Sequence, residues 1–120
     1  MKDNKFKNTV DALKNDLEEG LLFCDIWSKE TGLSLEGYNQ NAQYSALFGR
    51  VSKSIEKTLN DLGLPAFGQY QVIDLEADAL LFVLNLDENY LLGGLVDKNI
   101  VNIGLLLNFA IPNAHKAYKA

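Results

Sequence analysis

The middle of this 120-residue chain places one long amphipathic helix between short strand segments. Apolar residues recur at every third or fourth position, at Tyr44, Phe48, Val51, Ile55, Leu59 and Leu62. This spacing keeps one face of a helix apolar over about five turns. Gly63 and Pro65 follow the pattern, so we predict a helix from about Asn41 to Leu62. An amphipathic helix among strands must cover a sheet, which restricts the chain to a layered fold.

Two strand segments precede this helix and three follow it. Residues 21–28 are apolar at almost every position, as in a strand covered on both faces, whereas residues 33–38 alternate as an edge strand does. Residues 67–75, 79–85 and 90–96 are joined by short turns that favour antiparallel hairpins. The second of these three segments is continuously apolar and should be central. Glutamines in the first of them indicate the other edge.

Terminal helices complete the predicted fold. One should run from about Lys5 to Leu17, and a last one from about Lys98 to Ile111, where Pro112 is expected to stop it. We predict an α+β fold with a five-stranded antiparallel sheet in the order 2-1-5-4-3. The long helix should cover one face of the sheet and the two terminal helices the other. This is a single domain, residues 1–120, with a core of about 6–111 and a polar C-terminal tail at 112–120.

Composition restricts the classes of partner. The formal net charge is −5 and the pI is about 4.7, so nucleic acid is not an expected partner. The first residues are polar without a following apolar segment, and the apolar tract near residues 100–112 is too short to span a bilayer. The single cysteine, Cys24, lies in an apolar run and should be a buried thiol. We expect a cytoplasmic protein that does not insert into membranes.

Few residues could perform catalysis. The only histidine, His115, falls in the predicted polar tail, and one Cys with one His cannot form a zinc site. Gly93 and Gly94 lie within a strand, which indicates close packing and not a phosphate-binding loop. Carboxylates at the hairpin ends could form an acid/base pair or a Ca²⁺ site, but solvated turns explain them better. We therefore expect no enzyme activity, no cofactor and no metal.

Two surfaces are candidates for protein contacts. Small residues on the long helix could admit a symmetry-related helix, and an edge strand could pair with a second chain. The predicted dimer interface comprises Ala42, Ala46, Gly49, Tyr70 and Val72. The same helix carries a basic group that could dock an acidic partner, formed by Arg50, Lys53 and Lys57. The alternative for the small residues and for the basic residues of the helix is a solvent-exposed face that binds no partner.

Local sequence resembles the roadblock (dynein light chain) superfamily. The resemblance is carried by a helix ending in Gly20, the apolar strand 21–26, and a polar turn with Gly32 before the Leu-rich segment 33–35. It covers about residues 6–111 and implies the αββαβββα order. It further implies dimers formed through the long helix and the third strand, and service as a scaffold or regulator of small Ras-like GTPases. A bacterial-type, single-domain, non-enzymatic homodimer is the resulting expectation.

Asp25 supports alternative functions, because a carboxylate interrupts the apolar first strand. It could be a buried, hydrogen-bonded residue within a scaffold. It could also anchor a ligand, if the chain is a small-ligand sensor with a pocket between sheet and helices. A third possibility is a divergent enzyme that uses Asp25 or the hairpin carboxylates. These readings differ in what replacing Asp25 would do.

Overall fold

The computed structural model describes residues 4–120 and has one five-stranded antiparallel sheet covered by helices on both faces. The helices are α1 (Lys5–Leu17), α2 (Ala42–Asp61), α3 (Ile103–Leu105) and α4 (Ile111–Lys119). The strands are β1 (Leu21–Ser28), β2 (Ser34–Tyr38), β3 (Tyr70–Leu75), β4 (Ala79–Asn85) and β5 (Tyr90–Asp97). Their order in the sheet is β2-β1-β5-β4-β3. This order confirms the predicted topology and both predicted edge strands.

The larger core lies between the sheet and the terminal helices α1, α3 and α4. Alternate residues of the central strands point into it, among them Ile26, Phe82 and Leu92, all fully buried. The intervening residues point to α2. With Phe48 of that helix they form a smaller core, to which the strands contribute Phe23, Trp27, Val83 and Leu91. Both faces of the central strands are therefore apolar, because helices cover both.

Helix α2 begins as its sequence predicts, since the Asn41 side chain accepts hydrogen bonds from the backbone N–H groups of Gln43 and Tyr44, at 3.0 and 3.2 Å. Its burial differs from the prediction. The apolar stripe is not centred on the sheet, because the buried residues of α2 are Ser45, Phe48 and Ser52. Phe48 is the only large apolar residue of α2 that is buried. The rest of the stripe is exposed or partly exposed.

Close packing at the paired glycines of β5 is confirmed. Gly93 faces the rings of Phe48 and Trp27 on the α2 side, and Gly94 faces Phe82 on the other side. A side chain at either position would occupy space that these aromatic rings fill. Because neither glycine has a side chain, aromatic rings can pack directly on both faces of β5.

Two element boundaries differ from the predicted ones. Strand β3 begins at Tyr70, three positions later than predicted, and residues 64–69 have no regular structure. The last helical segment begins at Ile103, because residues 98–102 form a turn closed by hydrogen bonds from the N–H groups of Ile100 and Val101 to the carbonyl of Asp97. Asn102 then caps the helix through its side chain.

The predicted stop at Pro112 and the predicted polar tail are wrong. Residues 106–110 form a π-helical turn, and α4 continues from Ile111 to Lys119 with Pro112 in its first turn. The helix is continuous from Ile103 to Lys119, and the Ile111 N–H donates to the Leu106 carbonyl in the π-helical turn. Proline has no N–H to donate, and this irregular turn directly before it accommodates Pro112 within the helix. Ala114, His115 and Tyr118 are buried in α4. The C-terminal residues therefore form part of the core, because they present an apolar face to α1.

His115 is consequently not a solvated tail residue. Its side chain is buried, and neither ring nitrogen makes a hydrogen bond of standard geometry within residues 4–120. Burial lowers the pKa of His115 below its ordinary value of 6.5; the nearby backbone of Gln69 offsets part of this effect, and the charge of Lys119 adds to it. The neutral imidazole is favoured, so His115 acts as a core residue.

Candidate functional site

One flank of α2 borders an apolar groove that extends to the edge of the sheet. The groove holds about 390 Å³ and is lined from α2 and from β3, β4 and β5 by Tyr44, Leu47, Phe48, Val51, Leu75, Leu81 and Leu95. Leu47 and Tyr44 are 48% and 44% exposed, and Val51 is 37% exposed. These residues form a contiguous apolar surface that the chain leaves exposed.

The other flank of α2 borders a cavity of different chemistry, called here the basic pocket. It holds about 300 Å³ and lies between α2, the end of β1 and the turn that follows β1. Its lining includes Trp27, Lys29, Gly49, Arg50, Ser52 and Lys53. Phe48 lines the apolar groove and stacks on Trp27, which lines the basic pocket. Helix α2 therefore has an apolar surface on one flank and a basic one on the other.

Asp25 joins three elements from a buried position. The residue is 1% exposed, and its carboxylate accepts hydrogen bonds from the Ser34 hydroxyl at 2.6 Å, the Gln40 amide at 3.0 Å and the Ser45 hydroxyl. Ser34 is on β2, Gln40 precedes α2, and Ser45 is on α2. The three bonds hold the first turns of α2 against the sheet. Because all three come from the protein's own side chains, the structure gives Asp25 a structural role.

The residues of the predicted dimer interface do not form one surface. Ala46 and Gly49 line the basic pocket, and Ala42 precedes Ala46 by one helical turn. Val72 packs against the larger core, and Tyr70, two positions earlier on β3, shares its face and is 46% exposed. The two groups therefore lie on different faces of the sheet. The part of α2 that lies beside β3 is its apolar flank, and not the flank with the small residues.

The predicted partner-binding residues do lie together. Arg50, Lys53 and Lys57 are exposed on one side of α2, and the first two line the basic pocket. Lys57 forms an exposed ion pair with Asp61 at 2.8 Å, whereas Arg50 and Lys53 have no ion-pair partner within residues 4–120. An exposed ion pair of this kind contributes little stability. All three cations are accessible to a partner.

The remaining residues that could take part in chemistry, the Cys24 thiol and the Asp87 carboxylate, have structural roles. Cys24 is buried, and burial raises its pKa to about 12, so the thiol stays protonated. Burial alone would raise the pKa of Asp87, but hydrogen bonds from the Tyr118 hydroxyl and from the Asn89 and Tyr90 N–H groups lower it. Within residues 4–120 no three His, Cys, Asp or Glu residues lie close enough together to bind a metal ion.

In the same range no helix has the length and apolarity to cross a membrane.

Several pocket residues were not singled out from the sequence, among them Trp27, Lys29, Ser45 and Ser52. The sequence does contain a signal for two of these residues, Ser45 and Ser52. Ser45 and Ser52 stand three before and four after Phe48, so all three share a helical face. Small polar residues beside the one buried aromatic residue indicate that this face is not simply core. Trp27 and Lys29 could not be assigned, since their neighbours come from distant segments.

No protein-family profile and no curated protein sequence matches the chain. Solved structures match its fold. MglB from Myxococcus xanthus has a TM-score of 0.78 at 15% identity, over 99% of this chain and 96% of that one. A structure described as MglB with tetrameric arrangement has a TM-score of 0.76 at 17% identity, over 99% and 91%. A Roadblock/LC7 domain from Streptomyces avermitilis has a TM-score of 0.67 at 12% identity, over 92% and 93%.

Proposed function

The chain has the roadblock fold, and from this premise we propose that it is a non-enzymatic, homodimeric regulator or scaffold of a small Ras-like GTPase in the cytoplasm. The observation that carries the proposal is the uncovered apolar flank of α2 beside the unpaired edge of β3. A second copy would cover both. The sequence resemblance to the roadblock superfamily supports the GTPase as partner.

Two exposed features of the structure support the proposed dimer surface. Strand β3 pairs with β4 on one side and with no strand of residues 4–120 on the other. An unpaired strand edge is a template for pairing with another chain. Beside it, Leu47 and Tyr44 expose almost half of their surface. We therefore place the interface on the apolar groove and the β3 edge, in preference to the small-residue face of Ala42, Ala46 and Gly49. A twofold axis beside β3 would bury the same patch of both copies.

We expect the protein to be a dimer at micromolar concentration and Leu47→Glu to weaken the dimer by about tenfold or more, because a charge would be buried in an apolar contact. Light scattering coupled to size exclusion measures the mass of each variant. Leu33→Glu is the matched control, since Leu33 is 66% exposed and lies in the turn before β2, away from the groove. A single-chain mass for the unmodified protein would refute the dimer. Dissociation by Gly49→Glu but not by Leu47→Glu would move the interface to the small-residue face.

The partner surface is placed on the basic side of α2, across the helix from the dimer surface. Arg50, Lys53 and Lys57 are exposed cations in a chain of net charge −5. Their charges would attract an acidic surface and raise the association rate. Because the two surfaces lie on different flanks, a dimer can present two copies of the basic one.

We expect immobilised protein to capture a Ras-like GTPase from a lysate of its source in one nucleotide state, and the combined variant Arg50→Glu, Lys53→Glu, Lys57→Glu to capture about tenfold less. Mass spectrometry identifies and quantifies the captured protein. The matched control is the triple reversal of Lys7, Lys116 and Lys119, which makes the same charge change on α1 and α4. Equal capture by both triple variants would exclude the basic side of α2. Capture of no GTPase in either nucleotide state would refute the proposed partner.

A further inference from the structure

The basic pocket has a polar group in its wall that the protein itself does not satisfy. Ser52 is 1% exposed, and its hydroxyl has no hydrogen-bond partner within residues 4–120. Helical Ser and Thr residues commonly donate to the carbonyl one turn earlier. Thr58 does so with Ser54 at 2.9 Å, and Thr9 with Lys5 at 2.6 Å. The Ser52 hydroxyl is therefore an available donor and acceptor inside a cavity.

A second donor lies in the same wall. Trp27 is 3% exposed and lines the pocket, and its indole N–H donates to no residue of the described range. This N–H group is not fully enclosed, so a molecule in the pocket can accept a hydrogen bond from it. The indole nitrogen lies 3.7 Å from the position that a Cβ on Gly49 would take. The missing side chain at Gly49 thus leaves space next to this N–H group.

The charges around the cavity are mostly positive. Lys29, Arg50 and Lys53 line it, and Glu56 is the one acidic residue of the lining. Lys29 donates to the Asn85 side chain at 2.8 Å, whereas Arg50 and Lys53 have no ion-pair partner within residues 4–120. Unpaired cations at the opening of a partly apolar cavity favour an anion.

The apolar part of the lining limits what that anion can be. Trp27 presents an indole ring held by stacking on Phe48, with ring centroids 6.1 Å apart and planes at 28°. Leu91 extends this apolar wall. A volume of about 300 Å³ is at the lower end for small-molecule sites and admits a molecule of about mononucleotide size or less.

We propose that the basic pocket binds a small organic oxyanion carried on a planar ring. The oxyanion, a carboxylate or a phosphate monoester, lies beside Arg50 and Lys53, and the ring lies against the N–H edge of the Trp27 indole and Leu91. The Ser52 hydroxyl and the indole N–H donate to acceptor atoms of the ligand. The pocket shares Arg50 and Lys53 with the proposed partner surface. It is tested separately from the GTPase proposal, because its probes are small molecules and the measurement needs no GTPase.

Trp27 is the only tryptophan, so its indole signal in a ¹⁵N–¹H correlation spectrum needs no further assignment. Four probes separate the parts of the ligand: inorganic phosphate, adenosine, adenosine 5′-monophosphate and benzoate. We expect the last two, which combine a ring with an oxyanion, to shift the indole signal saturably. Phosphate alone and adenosine alone should bind at least about tenfold more weakly, because each makes half of the contacts. A preference between the two combined probes distinguishes a phosphate from a carboxylate.

Variants locate the binding. Lys53→Gln should weaken binding of the combined probes by about tenfold, the cost of one charge-assisted hydrogen bond. Lys57→Gln is the matched control on the same side of α2 outside the pocket lining, and should leave affinity unchanged. Gly49→Leu should abolish binding by filling the cavity, and Ser52→Ala should weaken it. If Gly49→Leu fails to fold, the two lysine variants still decide. Absence of a saturable indole shift with any probe, or equal losses in Lys53→Gln and Lys57→Gln, would overturn the proposal.

Discussion

Gly93→Ala is expected to destabilise the domain by about 3 kcal/mol, at the upper end of the usual cost of overpacking a core. A Cβ at position 93 would lie 2.4 Å from Cδ2 of Phe48 and 2.8 and 2.9 Å from two ring carbons of Trp27. Neither ring can retreat easily. Phe48 also contacts Phe23, with ring centroids 5.6 Å apart, and these rings make up most of the smaller core. Relief of the clash would require α2 to move away from the sheet.

Urea unfolding followed by far-UV circular dichroism measures this effect. Gly68→Ala is the matched control, because no atom lies within 4 Å of the position its Cβ would take. That variant should change the free energy of unfolding by about 0.5 kcal/mol or less. If Gly93→Ala were as stable as Gly68→Ala, the close packing of α2 on β5 would be wrong. The apolar groove and the basic pocket, which both depend on the position of α2, would then need to be revised.

Asp25→Ala is the second variant with a large expected effect, also about 3 kcal/mol. The substitution removes the acceptor of three hydrogen bonds, from Ser34, Gln40 and Ser45. Ser34 and Gln40 are exposed and can bond to water, but Ser45 is 8% exposed and would be left unsatisfied beside a cavity. Hydrogen exchange should show the largest loss of protection in the first turns of α2, because Asp25 holds that end of the helix to the sheet.

Asp11→Ala is the control for Asp25→Ala, since Asp11 is an exposed carboxylate with a single ion pair to Lys7 at 3.0 Å. We expect its effect to be within about 0.5 kcal/mol. The conservative Asp25→Asn variant keeps the volume and one acceptor oxygen. It should leave dimerisation and GTPase capture intact if the chain is a scaffold. Loss of small-molecule binding in Asp25→Asn, with the fold and the dimer retained, would instead support Asp25 as the anchor of a ligand.

Most of the fold could be predicted because its signals are local. The alternation in β2, the continuous apolar run in β4 and the helical spacing in α1 each depend on neighbouring residues alone. Hairpin turns that are too short for crossovers then restrict the order of the strands. The continuation of the helix past Pro112 was not predictable in this way, since it depends on the contacts of α4 with α1, which join residues far apart in sequence.

For the candidate sites too, the local features could be predicted from the sequence and the contacts between distant segments could not. The sequence by itself determined that α2 carries an apolar flank, a basic flank and small residues, because helical periodicity places residues around an axis. Only the tertiary structure decided that the apolar flank faces β3, that Arg50 and Lys53 line one pocket with Trp27, and that Asp25 is held by three side chains. Periodicity sets angles within one helix, but the rotation of that helix on the sheet is set by packing. Here Phe48 enters the space left by Gly93, a contact between residues 45 positions apart in the chain.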